Sequence, residues 1–125
     1  MAVTAAALSS MGYGYEVQVR INGIDIGVKG GRSESRRLLS PSDEMAAQLP
    51  AEMRAQHVVL KDGANRIEIR FTKKGDENDS LKVTIETDGP DPVFSLKSKT
   101  KAAGSVDRTI DLETGKVVLT DADVK

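Results

Sequence analysis

A run of oxygen-bearing side chains at residues 76–80 is a group of candidate metal ligands in this sequence. Hard cations such as Ca²⁺ take about six to eight oxygen ligands, which carboxylates and amides can supply. The run lacks the glycine at the sixth position and the distal glutamate of an EF-hand loop. Polar residues also fill ordinary connections between strands. We therefore expect a solvated connection and no cofactor, with Asp76, Asn78 and Asp79 as the alternative ligand set for a Ca²⁺ ion.

Three arginines lie in the most basic stretch of the chain, residues 29–37. Flexible glycine backbone and guanidinium groups can surround an anion through N–H donors and paired hydrogen bonds. The stretch lacks the Gly-Lys-Ser/Thr ending of a phosphate-binding loop, and Glu34 lowers its charge. The sequence predicts a solvated loop. The alternative is a patch through which Arg32, Arg36 and Arg37 bind an acidic partner.

Residue types that support catalysis are scarce in this chain. His57 is the only histidine, and a lone histidine serves as a general base only beside a nucleophile and an orienting acid. It stands at the start of a predicted strand, which favours a structural role. The serines lack the Gly-x-Ser-x-Gly frame of a nucleophile elbow, and the absence of cysteine excludes thiolates and disulfides. We predict no catalytic residue and no enzymatic activity.

The charge balance argues against nucleic acid as a partner. The chain has 125 residues, enough for one domain with its own core. Its formal net charge is -1, and its acids and bases are interspersed, whereas nucleic acid requires a basic face.

No run approaches the roughly 20 apolar residues of a membrane-spanning helix. The start has no clear signal peptide, and the sequence leaves the compartment unknown: cytoplasmic as written, or extracytoplasmic if a leader was removed before Met1.

Alternating apolar and polar residues on both sides of Asn22-Gly23 predict a β-hairpin. Residues 15–21 and 24–28 each place apolar side chains at every second position. Asn and Gly both tolerate the positive φ of a type I′ turn, which is why this pair between two alternating runs predicts a hairpin.

One short helix is predicted after the hairpin. Ser40 can cap it, Pro41 suits its first position, and Asp43 stands where a capping box has Glu or Gln. Pro50 stops it. The result is a short helical crossover near Ser40 to Leu49.

Short strands separated by turns return after residue 56. About seven or eight strands at this spacing are typical of an antiparallel sandwich or barrel. We predict an all-β antiparallel sandwich, jelly-roll or immunoglobulin-like, with that one crossover. The domain covers residues 15–119, after a flexible arm at 1–14 and before a polar tail at 120–125. The predicted core residues are Val17, Val19, Ile21, Ile26, Leu60, Ile67, Ile69, Phe71, Leu81, Val83, Ile85, Phe94, Leu96, Ile110 and Leu112.

Two segments carry a resemblance to a known family. Val17 to Gly23 reads Val-Gln-Val-Arg-Ile-Asn-Gly, with Gly27 shortly after, and Leu60 to Ile69 fits Leu-x-x-Gly-x-Asn-x-Ile-x-Ile. Both resemble β-sandwich accessory modules of the galactose-binding-like, jelly-roll type. The resemblance concerns turns and implies a fold, and it carries over no binding residue. The chain also lacks the Trp residues with which carbohydrate-binding members hold a sugar.

Three functional hypotheses follow. The first is a non-catalytic interaction or scaffold module that reaches a protein or glycan partner through loops or an edge strand. The alternative is a carbohydrate-binding accessory module, stabilised by Ca²⁺ in one version, with Tyr13 and Tyr15 as stacking residues. The third is a small hydrolase that pairs His57 with an acid and a hydroxyl.

Overall fold

The computed structural model describes residues 6–11, 14–30, 33–38, 48, 50, 60–61, 63–74, 80–87, 91–99, 103–111 and 115–125. Within these ranges nine strands form two sheets. The strands are β1 (Ala6–Met11), β2 (Tyr15–Ile21), β3 (Ile24–Asp25), β4 (Ser33–Leu38), β5 (Ala64–Lys73), β6 (Leu81–Thr87), β7 (Phe94–Ser98), β8 (Ala103–Asp111) and β9 (Val117–Leu119), and a 3-10 turn follows at Asp121–Asp123.

The two sheets confirm the predicted all-β sandwich. One sheet has five strands in the order β4-β1-β6-β7-β9, and the other has four in the order β3-β2-β5-β8. Neighbouring strands are antiparallel except for β7 and β9, which pair in parallel. Among the described residues the helical positions are the 3-10 turn and the single α-helical residue Gln48. The predicted crossover from Ser40 to Leu49 lies outside the described residues apart from Gln48.

The predicted hairpin is confirmed. Ile21 pairs with Ile24 across β2 and β3. Asn22 and Gly23 connect them with φ values of 54° and 81°, so both central residues have the positive φ of a type I′ turn.

The core lies between the sheets and is aliphatic. Alternate residues of each strand point inward, as the two-residue repeat of a strand requires. The predicted core residues are buried, except that Ile26 is partly exposed and packs against the core, and Leu112 lies outside the described residues. Further buried apolar residues are Ala6, Leu8, Tyr15, Val28, Leu38, Val93, Val106, Leu119 and Val124.

The prediction of a flexible arm over residues 1–14 is wrong for Ala6–Met11. This segment is β1, which pairs with β4 on one side and β6 on the other. Ala6, Leu8 and Ser10 point inward and are buried. The sequence shows no alternation here because inward and outward positions carry the same residue types, Ala6 beside Ala7 and Ser10 beside Ser9.

The basic stretch was also predicted wrongly as a continuous loop. Its second half, Ser33–Leu38, is β4 at the edge of the five-stranded sheet. Glu34 and Leu38 are buried, so the alternation here places one charged and one apolar residue inward. Polar composition therefore does not distinguish an edge strand from a loop.

The predicted polar tail at residues 120–125 belongs to the sandwich. Val124 is buried, and the backbone N–H and C=O of Lys125 both form 3.0 Å hydrogen bonds with Ser105 on β8. The 3-10 turn before it has a capping box between Thr120 and Asp123. These contacts partly cover the free edge of the four-stranded sheet.

Candidate functional site

The outward side chains of the four-stranded sheet form a polar surface with a broad depression. Gln18, Arg70 and Ser105 lie side by side across β2, β5 and β8, and Glu16 and Thr72 are neighbours in the next row. We call these five residues the polar face. The depression over them is open and has a volume of about 900 Å³, with Asp25, Lys29 and Lys125 also lining it.

The polar face stands on a rigid base. Its residues alternate along β2 and β5 with the buried residues Val17, Val19, Ile69 and Phe71. Because each inward side chain is fixed by core packing, the outward side chains are held at strand spacing. The site is therefore built on paired strands, which position side chains more precisely than loops do.

Both carboxylates in the depression already have partners. Asp25 accepts a 3.0 Å hydrogen bond from Nε2 of Gln18 and a 2.8 Å hydrogen bond from the backbone N–H of Gly27. These two bonds, Gln18 first, lower the pKa of Asp25. Glu16 forms an exposed ion pair with Lys74 at 3.4 Å.

The carboxylates further along the same face are paired too. Asp107 accepts hydrogen bonds from Nε and Nη2 of Arg66, the first at 3.0 Å. This hydrogen bonding lowers the pKa of Asp107 and raises that of Arg66. Glu68 lies 3.8 Å from the same guanidinium.

Three cations in the depression are unpaired. Within the described part of the chain, the guanidinium of Arg70 makes no hydrogen bond or ion pair, and the same holds for the ammonium groups of Lys29 and Lys125. Arg70 lies on a central strand between Gln18 and Ser105. In the depression, the carboxylates of Glu16 and Asp25 therefore have partners, whereas the N–H donors of the Arg70 guanidinium are available to a ligand.

A buried carboxylate fixes the segment that carries Lys29. Glu34 of β4, whose side chain is 1% exposed, accepts hydrogen bonds from the backbone N–H groups of Lys29 and Gly30 at 3.1 and 2.9 Å. Gly30 has φ of 86°, and a Cβ there would collide with the carbonyl oxygen of Tyr15. Glycine is required at this position by both conformation and space.

The arginines singled out from the sequence do not form one patch on the described surface. Arg36 binds the carbonyl of Gly27 at 3.2 Å and contacts Glu34 at 3.4 Å. Arg37 is the next residue on β4 and so points to the opposite side of the sheet. Arg32 lies outside the described residues. Partner binding by these three residues stays a prediction.

The proposed calcium ligands Asp76, Asn78 and Asp79, together with His57, lie outside the described residues. Among the residues that the structure does describe, no group of three or more His, Asp or Glu side chains could hold a metal ion.

The proposal of Tyr15 as a sugar-stacking residue is wrong. Tyr15 is 2% exposed, and its ring meets that of Phe71 edge to face with centroids 5.9 Å apart. The ring packs inside the core and is not accessible for stacking against a ligand. Tyr13, the other proposed stacking residue, lies outside the described residues.

Arg70 and its neighbours were not found from the sequence. They were recognised only as the solvated side of an amphipathic strand. The available signal was the alternation itself, but the alignment of Gln18, Arg70 and Ser105 depends on the register of three strands that are far apart in sequence.

Comparison with protein-family models, with curated proteins and with solved structures found no match. The part of the chain that the structure describes contains no helix with the length and hydrophobicity to span a membrane.

Proposed function

We propose that this protein is a non-catalytic binding module whose ligand lies on the polar face. The observation that carries the proposal is the open depression of about 900 Å³ in which Arg70 has no partner among the described residues. A guanidinium on a rigid strand, flanked by an amide and hydroxyls, is suited to hold a ligand by directed hydrogen bonds. The volume falls within the range of about 300–1,000 Å³ for small-molecule sites.

The pKa shifts support binding over catalysis. Asp25 and Asp107 have lowered pKa values and Arg66 a raised one, so each shift favours the charged form. A general acid needs the opposite shift, a carboxyl pKa raised toward neutrality by burial or a like charge. These shifts come from an ion pair with Arg66 at Asp107 and from the neutral donors of Gln18 and Gly27 at Asp25, which are structural contacts.

The shape of the depression supports the same conclusion. Its side chains stand parallel at strand spacing on an open sheet, whereas hydrolytic sites converge on one reacting atom and exclude water. The small-hydrolase hypothesis requires a pair of converging groups, and the depression offers Glu16 and Asp25 already engaged by Lys74, Gln18 and Gly27.

Chemical-shift mapping tests the proposal. A ¹⁵N-labelled sample is titrated with neutral and acidic oligosaccharides, each with and without Ca²⁺. We expect shifts clustered on β2, β5 and β8 around Gln18, Arg70 and Ser105, and recovery of the oligosaccharide chemically unchanged. A Gln18→Ala variant should weaken the binding, and Ser95→Ala on the opposite sheet should not.

Two results would contradict the binding-module proposal. One is reproducible turnover of a substrate that disappears on mutation of a single residue of the depression. The other is a set of shifts confined to surfaces other than the polar face, or no shifts with any oligosaccharide.

A further inference from the structure

In the depression over the polar face, the acidic side chains have partners and the basic ones do not. The acids Glu16 and Asp25 are bound to Lys74 and to Gln18, while Arg70 and Lys29 have no partner among the described residues. A ligand placed here would meet free positive charge and carboxylates that are already neutralised or hydrogen-bonded. The face is therefore complementary to an anion even though the chain as a whole has a formal net charge of -1.

The groups around Arg70 indicate what else the ligand must carry. Thr72 and Ser105 have hydroxyls that can both donate and accept, and Gln18 keeps its carbonyl oxygen free because its Nε2 donates to Asp25. Such a set matches a ligand bearing several hydroxyl groups next to its charge. A carboxylate is the planar anion that a guanidinium holds through two parallel hydrogen bonds.

The absence of an apolar anchor in this region argues against a protein partner. The hot spots of protein–protein interfaces are aromatic and arginine side chains packed in a largely apolar centre, and Arg70 lacks an exposed apolar surround of that kind. In the described part of the chain the exposed large hydrophobic residues are Met11 and Val118, and both are on the five-stranded sheet. The polar face therefore favours a hydrophilic ligand over a folded partner.

We infer that the polar face binds acidic saccharides, with Arg70 holding the carboxylate of a uronic acid residue and Lys29 adding long-range attraction. This inference rests on the proposed function and specifies its ligand. Thr72, Ser105 and the Gln18 carbonyl contact the sugar hydroxyls. The depression is open, so it can accommodate a chain of linked sugars as well as a single one.

A matched pair of ligands tests the role of the carboxylate. The probes are a short oligogalacturonate and its methyl ester, which differ in charge but share the same sugar and linkage. Titration calorimetry should give an affinity for the acid about tenfold or more above that for the ester, the size expected of a charge-assisted paired hydrogen bond. The preference should shrink as NaCl is raised.

Variants of this chain then assign the preference to Arg70. Arg70→Gln should bring the acid-to-ester ratio close to one, and Arg70→Lys should retain part of it, because an ammonium keeps the charge but not the planar fork. Lys97→Gln on β7 removes the same charge from the five-stranded sheet and should leave the ratio unchanged. Both positions are solvent-facing and exposed, so the folded state is preserved.

The outcomes separate this inference from the proposed function. If acid and ester bind equally, with shifts at Gln18 and Ser105, the binding module stands and the acidic ligand is overturned. If the preference survives in Arg70→Gln, the role of Arg70 is overturned. If tetraglutamate competes as strongly as the oligogalacturonate at the same residues, the ligand is an acidic peptide and the saccharide is overturned. If neither sugar perturbs the polar face, both proposals fail.

Discussion

Nδ2 of Asn22 donates a 2.9 Å hydrogen bond to Oδ1 of Asn65, joining the hairpin turn to the start of β5. The two residues are also linked through Arg66, whose backbone N–H donates to Oδ1 of Asn22 at 3.0 Å. Asn65 itself accepts from the N–H of Lys61 at 2.8 Å and donates to the carbonyls of Lys61 and Gly63 at 2.9 and 3.2 Å. The hairpin turn and the turn before β5 thus form a single hydrogen-bonded unit.

We expect Asn65→Ala to be strongly destabilising. Asn65 is fully buried, and its removal leaves the backbone groups of Lys61 and Gly63 without their partner. Asn65 makes four hydrogen bonds, each worth about 0.5–1.5 kcal/mol net, and we expect a total loss of about 3 kcal/mol in the free energy of unfolding. Urea denaturation measures it, with the exposed Thr109→Ala as the control. A loss no larger than that of the control would contradict the structural role.

Leu8→Ala distinguishes an inner strand from a flexible arm. Leu8 is fully buried on β1, so truncation should lower the free energy of unfolding by about 3 kcal/mol, as is typical for a buried leucine. Ser10→Ala is the matched control on the same strand. The Ser10 hydroxyl is buried and has no partner among the described residues, so its removal should be neutral or stabilising. If both variants leave the free energy of unfolding almost unchanged, residues 6–11 behave as a flexible arm and the assignment of β1 is contradicted.

Gly104→Ala should detach the C-terminal segment from β8. A Cβ at Gly104 would collide with Cγ1 of Val124 and crowd the ring of Phe71. We expect faster amide exchange at Lys125 and Ser105, whose backbones pair, and a destabilisation of about 1–3 kcal/mol from overpacking. Ser105→Ala changes only a side chain on the outward face of β8, so it should leave both the amide exchange rates and the stability unchanged. Unchanged exchange in Gly104→Ala would show that the segment does not dock as described.

Stability should fall with acid below about pH 4. The pKa values of Asp25 and Asp107 are lower in the folded state than the usual value of about 3.9. Their contribution is therefore present above that value and is lost as the pH falls through the lowered pKa. Urea midpoints from pH 2 to 7, as an approximate working range, measure this loss. Asp107→Asn should lower the midpoint near neutrality and converge with the wild type in acid. If the urea midpoints of Asp107→Asn and the wild type differ by the same amount at every pH, the lowered pKa of Asp107 does not contribute to stability as described.

The hairpin, the sandwich and most of the core could be predicted because they depend on local alternation and on turn residues. Val17 to Ile21 and Ile67 to Phe71 alternate large aliphatic or aromatic side chains with polar or charged ones, which leaves one way to orient each strand. The choice between jelly-roll and immunoglobulin-like order was not specified by that pattern and stays a prediction, as does the family resemblance.

The edge strand, the first strand and the polar face could not be predicted, for different reasons. In β1 the inward residues Ala6 and Ser10 are of the same types as the outward Ala7 and Ser9, so no alternation is visible. In β4 the inward Glu34 breaks the rule that charges face solvent, since backbone N–H groups compensate its burial. The polar face depends on the long-range pairing of β2 with β5 and of β5 with β8, which no local pattern encodes.

The carboxylate of Glu34 links the two layers of the sandwich. It belongs to the five-stranded sheet, yet it anchors the backbone of Lys29, whose ammonium stands beside the depression on the opposite sheet. A substitution at Glu34 would let that cation drift, and the on-rate for an anionic ligand would decrease without any change in the groups that touch it. The rate at which the depression on the four-stranded sheet binds an anion would thus depend on a buried residue of the five-stranded sheet.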